Sequence, residues 1–234
     1  MSDIEQNQTF YKFINNLSKI IKKMEKFQNK ALKLAWNALN WTDQAILEFT
    51  SLESLPEPLD CKPGCHYCCY NLPMVTAPEA MLIGYHVEQN FTDQAKKEIS
   101  GRVEMILRRI KDLSPHDVAM IRHELPCIFL EDGMCRVYPV RPAVCRTCSS
   151  TSAEHCKLIF ESRDHRARLR CYQKIREIFH TVHSRLIDRS RKMGRQADAL
   201  PLAEAVQYYF RHPEPIDAWL QGEIVFQIPS PGKP

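Results

Sequence analysis

Four cysteines fall within nine residues, Cys61-Lys62-Pro63-Gly64-Cys65-His66-Tyr67-Cys68-Cys69. That density constrains the fold more than any other feature. A short apolar segment does not need it, whereas a soft metal prefers thiolate ligands. The spacing is C-x3-C-x2-C-C, and Pro-Gly in the first gap allows the tight turn by which several sulfurs converge. Neighbouring side chains of extended backbone point in opposite directions. The doubled Cys68-Cys69 is therefore expected to serve two sites, or two metals of one cluster.

The chain has ten cysteines in 234 residues. Its polar N-terminus lacks a basic segment followed by an apolar run, and no stretch has the length and apolarity of a membrane span. The expectation is a cytoplasmic protein, whose thiols serve as metal ligands or reactive groups rather than as disulfides. A 44% hydrophobic and 26% charged composition is that of an ordinary globular chain able to bury a core.

Helical spacing runs through Phe10, Phe13, Leu17, Ile20, Met24, Phe27, Ala31, Leu34 and Ala38. A second helix is expected from Thr42 or Asp43 to Ser54, making residues 1–55 an N-terminal helical extension in the form of a hairpin. Thr76-Ala77-Pro78-Glu79 is a capping-box start, and Ser114-Pro115-His116-Asp117 repeats the signal. Between them a helix is expected over 93–113. Two β-prone runs, 127–130 and 134–138, flank Asp132-Gly133, a hairpin signal that brings Cys127 near Cys135. One long helix is expected over 153–192, a short helix over 203–210 and a strand over 223–228. The fold class is mainly α, with a small β-hairpin and irregular metal-binding loops around a cysteine-rich core. The expected units are residues 1–55, the metal-binding domain 56–160, a long basic helix with its successor over 161–212, and a tail over 213–234.

Cys65 and Cys68 make a C-x-x-C pair, which a tetrahedral ion accepts and a redox pair also shares. Cys61, Cys69, Cys127, Cys135, Cys145 and Cys156 bring the set to eight thiolates. Eight fill two four-coordinate sites or one polynuclear centre, and spacing leaves the pairing open. Arg136, Arg141 and Arg146 stand close enough in sequence to offset thiolate charge, or are plain surface arginines. His66 and His155 are read as bystanders, and Cys171 as a packing residue. Cys145-x-x-Cys148 keeps Cys148 open.

These motifs together resemble the YkgJ-like cysteine-cluster family, described as chelating zinc or iron. The matching pieces are Cys61-x3-Cys65-x2-Cys68-Cys69, Cys127, Gly133-x-Cys135, Arg141-Pro142-x-x-Cys145 and Cys156, over roughly residues 58–160. The resemblance implies Cys61, Cys65, Cys68, Cys69, Cys127, Cys135, Cys145 and Cys156 as ligands. It implies zinc or iron as cofactor, the iron also in the form of an iron–sulfur cluster. Flagellin lysine N-methylases carry a similar cluster, which keeps a metal-dependent or iron–sulfur enzyme as an alternative. No catalytic constellation or Gly-rich nucleotide loop stands out, so the reading leans away from an enzyme. A further alternative is a binder of nucleic acid or an acidic partner. From Arg163 to Arg195, eleven Lys or Arg face three acidic residues, and basic stripes bind phosphates.

Overall fold

The computed structural model describes residues 29–52, 55–62, 64–164 and 167–227. Most of the helical pattern read over residues 9–39 lies outside them, as does the last residue of the strand expected over 223–228.

Helix α1 (Lys30–Leu52) is continuous through the point where a second helix was expected to start. Both candidate caps are engaged elsewhere. The Thr42 hydroxyl donates back to Ala38 O at 2.8 Å, a bond compatible with an unbroken helix. Asp43 pairs with Arg146. There is thus no hairpin turn near residue 40. Ala31, Leu32, Ala35, Trp36 and Leu39 form the buried stripe of α1, which packs on α2 (Ala77–Asn90) and α7 (Gln173–Lys192).

The capping signals mark real helix starts. Thr76 N and Oγ1 both donate to Glu79 Oε2 at 2.8 Å, opening α2. The Thr92 hydroxyl accepts from Ala95 N at the start of α3 (Asp93–Ile110). Ser114 Oγ accepts from Asp117 N at the start of α4 (Pro115–Ile121). In each case a side-chain oxygen satisfies an amide that the first turn leaves orphaned.

Strands are few and short among the described residues. Strand β1 (Met74–Thr76) pairs antiparallel with β4 (Ala199–Pro201), with Val75 opposite Leu200. The expected hairpin is present as β2 (Leu130–Glu131) and β3 (Met134–Cys135), with Leu130 opposite Cys135. Asp132 and Gly133 both adopt positive φ, 49° and 75°, as a two-residue I′ hairpin turn demands.

Two expectations fail after residue 150. The single helix over 153–192 is two helices, α6 (Ala153–Ser162) and α7, separated by an irregular segment. Arg163 ends α6 in the left-handed region at φ 58°. The segment that follows carries four arginines between residues 163 and 170 and little apolar surface, so a helix there would gain scant burial and place like charges four apart. Arg170 O instead accepts from Thr151 N at 3.0 Å, drawing the chain across the cysteine loop. The strand expected near the C-terminus is also absent over the described residues 223–227. There the side-chain amide of Gln196 takes the place of a strand partner. Its Oε1 accepts from Phe226 N at 3.0 Å, and its Nε2 donates to Phe226 O at 2.6 Å.

Helix α8 (Leu202–Arg211) packs on α2 and α3, and α9 (Pro215–Gln221) reaches back to α1. In α9, Pro215 occupies the first turn of the helix, where its missing N–H leaves no bond unmade. Gly84 lets α8 lie close against α2. A Cβ built on it would lie 2.4 Å from the ring of Tyr209, which is 1% exposed. Gly84→Ala gains helix propensity of about 1 kcal/mol, but the overlap is too deep for a rotamer change to relieve. We expect a net loss of about 1–3 kcal/mol in urea unfolding. A variant as stable as the parent would show that the two helices can separate freely.

Candidate metal centre

The cysteines come from four parts of the chain, each held by a different device. Cys68 and Cys69 lie on a 3-10 turn, Tyr67–Tyr70. That turn packs on α6 through Phe160, whose ring lies 5.8 Å from Tyr67 and 4.7 Å from Tyr70, centroid to centroid. Cys156 is buried on the same helix. Cys61 is brought to this region by a backbone strap. Asp60 N donates to Ser150 O at 2.9 Å, and Asp60 Oδ2 accepts from Ala153 N at 2.8 Å at the start of α6. Ser150 N then donates to Cys61 Sγ at 3.2 Å. Amide donors to sulfur stabilise the thiolate form and orient it.

On the other side, Cys69 O accepts from Cys127 N at 2.7 Å, and Cys127 O accepts from Leu130 N at 2.9 Å. The hairpin register then sets Cys135 opposite Leu130. Cys145 lies on the short helix α5 (Ala143–Thr147). The start of α5 is fixed by Ala143 N, which donates to Glu79 Oε1 at 2.8 Å. One buried carboxyl therefore both caps α2 and positions the helix that carries Cys145.

Electrostatic neighbourhoods sort these thiols into two groups. Cys61 lies within reach of Cys65, Cys68 and Cys156, and Cys65 within reach of Cys68 and Cys156. Cys69 lies near Cys127 and Cys135, and Cys145 near Cys127 and Cys135. Cys68 reaches both groups. Cys68 alone of the doubled pair reaches both and so stands at the seam, and the pair lies on a 3-10 turn rather than the extended backbone expected of it. Among the described residues, no three His, Cys, Asp or Glu side chains are already drawn into ion-holding geometry. The sulfurs are neighbours across the seam rather than a closed cage.

Burial pushes the thiols of Cys61, Cys65, Cys135 and Cys145 upward, and that of Cys127 up to about 12. Desolvation disfavours the thiolate in each. Cys68 moves the other way. Hydrogen bonds from the thiols of Cys148 and Cys69 hold it well below the ordinary range, with the Arg141 charge adding to the effect. Those two donors keep their own protons correspondingly tightly.

Of the three arginines read as charge partners, Arg146 adds its charge at Cys135 alone, and Arg141 serves the sulfurs most widely. Its guanidinium stacks on Tyr138, 4.2 Å from the ring centroid, and its charge favours the thiolates of Cys68, Cys135 and Cys145. Arg146 is 8% exposed and is spent on Arg141 O, Pro139 O and Asp43. Arg136 turns to Glu131 and to the ring of Phe91. His66 Nδ1 lies 3.0 Å from Gly64 O, and His155 Nε2 lies 3.2 Å from Arg168 O. Cys171 stands apart from both groups, with its sulfur accepting from Arg176 Nε at 3.0 Å. The basic run 163–195 is divided between the segment after α6 and the helix α7, so it is not one helical stripe. No helix of the described residues is long and apolar enough to cross a membrane.

The donor set fits a soft, positively charged ion. Cysteine sulfurs dominate it, and two buried polar atoms beside it, Arg141 Nε and Ser149 Oγ, have no hydrogen-bond partner among the described residues. Buried donors of that kind are costly unless something accepts from them, and metal-bound sulfur is a competent acceptor. Sequence reasoning missed the nearness of Cys148 to Cys68. The only available signal was the C-x-x-C spacing from Cys145.

No curated protein and no solved structure matches the chain. Residues 60–175 match the family model described as "CxxCxxCC: Putative zinc- or iron-chelating domain". The matched span starts at the Asp60 strap and takes in the 3-10 turn, the hairpin, α5 and α6, the same elements that deliver the cysteines. Over residues 60–175 the chain belongs to the CxxCxxCC family.

Proposed function

We propose that the protein binds zinc or iron through Cys61, Cys65, Cys68, Cys69, Cys127, Cys135, Cys145 and Cys156, and that the metal fixes the loop-built half of the fold. The observation that carries this reading is the convergence of four separately anchored segments on one seam at Cys68-Cys69. The bound ion would supply positive charge that stabilises thiolates which burial otherwise keeps protonated. The chain's own residues do the rest. Ser150 N orients Cys61, Arg141 offsets negative charge on the hairpin side, and Glu79 holds α5 so that Cys145 faces Cys127.

The fold supports a structural role confined to the loops. The core draws on α1, α2, α3, α7, α8 and α9 and on the segments around Phe129 and Phe226, with Trp219, Tyr209, Phe129 and Phe226 among its largest buried side chains. That core has its own apolar burial, and among the proposed ligands Cys127 and Cys135 pack against its edge. Metal removal is therefore expected to open residues 60–70 and 145–156 to hydrogen exchange while leaving most helical circular dichroism in place.

Elemental analysis and the visible spectrum of anaerobically purified protein test the reading. The expected result is stoichiometric zinc or iron, with iron–sulfur absorption if the centre is a cluster. Protein that purifies without either metal, and takes up neither on reconstitution under reducing conditions, would overturn it.

A further inference from the structure

Cys148 has no position in the eight-cysteine pattern, yet it lies closer to the centre than its place in the sequence implies. It follows α5, where its amide donates to Val144 O at 3.1 Å and closes the helix. It sits three residues after Cys145 on the end of the same helix, and its thiol is an electrostatic neighbour of Cys68, the thiol that reaches both groups. Two residues later the same loop places Ser150 N on Cys61 Sγ. Between them Ser149 is 8% exposed, and its buried hydroxyl has no partner among the described residues. The loop 148–150 thus lies along the sulfurs of the first group, with a thiol, an orphaned hydroxyl and an amide donor in succession.

We propose that Cys148 is a ninth thiol ligand of this centre, acting with Cys68 at the seam between the two groups. The proposal rests on the metal-binding reading given above and extends it. Eight thiolates satisfy two separate four-coordinate ions. A ninth donor has no place in that arrangement, so its presence at the seam makes the centre polynuclear, with thiolates shared between ions. The nearness of Cys148 to Cys68 marks the sharing point. On metal entry each ligating thiol releases its proton to solvent, and no sulfur is oxidised or reduced.

The test uses the full-length chain, loaded with zinc or cobalt under reducing conditions, and two readouts. First, thiols of the loaded protein are alkylated and mapped by peptide mass spectrometry, before and after chelator treatment. Cys148 is expected to be protected with the eight others and to become reactive on chelation, while Cys171 reacts in both states. Second, cobalt is titrated into the parent, Cys148→Ser, Cys148→His and Cys171→Ser. We expect Cys148→Ser to weaken binding by at least about tenfold, the lower bound for disturbing a ligand's surroundings. Cys148→His should restore part of the affinity with a shifted ligand-field spectrum, and Cys171→Ser should match the parent. Alkylation of Cys148 as freely as Cys171 in loaded protein, with the eight others protected, would overturn the ninth-ligand proposal and leave the metal reading intact. So would a Cys148→Ser cobalt titration identical to the parent's. Parent protein that binds no cobalt and protects no thiol would overturn both.

Discussion

Glu79→Ala is expected to destabilise the protein by about 3–5 kcal/mol, a large effect for a single substitution. Glu79 is 2% exposed and Thr76 1%. Its two carboxyl oxygens accept from Thr76 N, Thr76 Oγ1 and Ala143 N, each at 2.8 Å. Truncation leaves three donors buried without an acceptor, at roughly 1–3 kcal/mol apiece. Some of that cost is recovered if the Thr76 hydroxyl rotates to another partner, so the estimate lies below the sum of the upper values. Glu79→Gln retains the acceptor oxygen on one side but turns an amide donor toward another donor. It should cost roughly half as much. Urea unfolding of the three proteins measures the differences. A loss below about 1 kcal/mol for the alanine variant would mean that water reaches these donors, against the burial described above. Because Ala143 starts the helix that carries Cys145, the alanine variant should also bind metal more weakly than its folded fraction accounts for.

The second large effect concerns Cys68. Cys68→Ser should weaken metal binding by more than about 100-fold, above the 10–100-fold range typical of residues that only support a ligand. Cys65→Ser should cost less, because Cys65 belongs to one group whereas Cys68 reaches both. The pH dependence gives an independent check. Cys61, Cys65, Cys127, Cys135 and Cys145 have their thiol pKa values raised by burial. In the metal-free fold they hold protons throughout the neutral range, and metal binds the deprotonated form. Affinity must therefore rise with pH and keep rising past the ordinary thiol value near 9. The expected slope is about tenfold per pH unit for each proton displaced. Competition against a chromophoric chelator between about pH 6 and about pH 8 measures it. Affinity that is flat over this range would show that these thiols do not ligate. In Cys68→Ser the number of protons released should change little, since Cys68 is the thiol already held as thiolate by its neighbours.

Local signals were read correctly because the physics behind them is local. The starts of α2, α3 and α4 follow from one side chain satisfying amides within its own first turn. The Asp132-Gly133 turn follows from two residues able to take positive φ. What the sequence could not show depends on partners far along the chain. Thr42 and Asp43 look like helix starters until the bonds to Ala38 O and Arg146 are known. The interruption between α6 and α7 depends on Thr151 capturing Arg170 O. Residues 223–227 have strand-like composition, but Gln196 occupies the backbone groups of Phe226 that a second strand would use. The division of the cysteines was similarly illegible. Spacing brings Cys127 to Cys135 through the hairpin, but it cannot place Cys148 against Cys68 or choose Arg141 over Arg136 and Arg146.

The Asp60 strap has a consequence for how the protein acquires its metal. Cys61 meets Ser150 across a sequence separation of 89 residues. During synthesis the N-terminal thiols leave the ribosome long before Cys145, Cys148 and Cys156 exist to complete their neighbourhood. Closing so long a loop is slow and entropically costly until the helices between have folded. The cluster Cys61–Cys69 is then an early, open set of soft donors, able to hold an ion loosely or to lose it to a competing thiol pool. Tight capture waits until α5 and α6 dock and Ser150 reaches Cys61. Loading should accordingly be a late step, coupled to the docking of the segment 145–156.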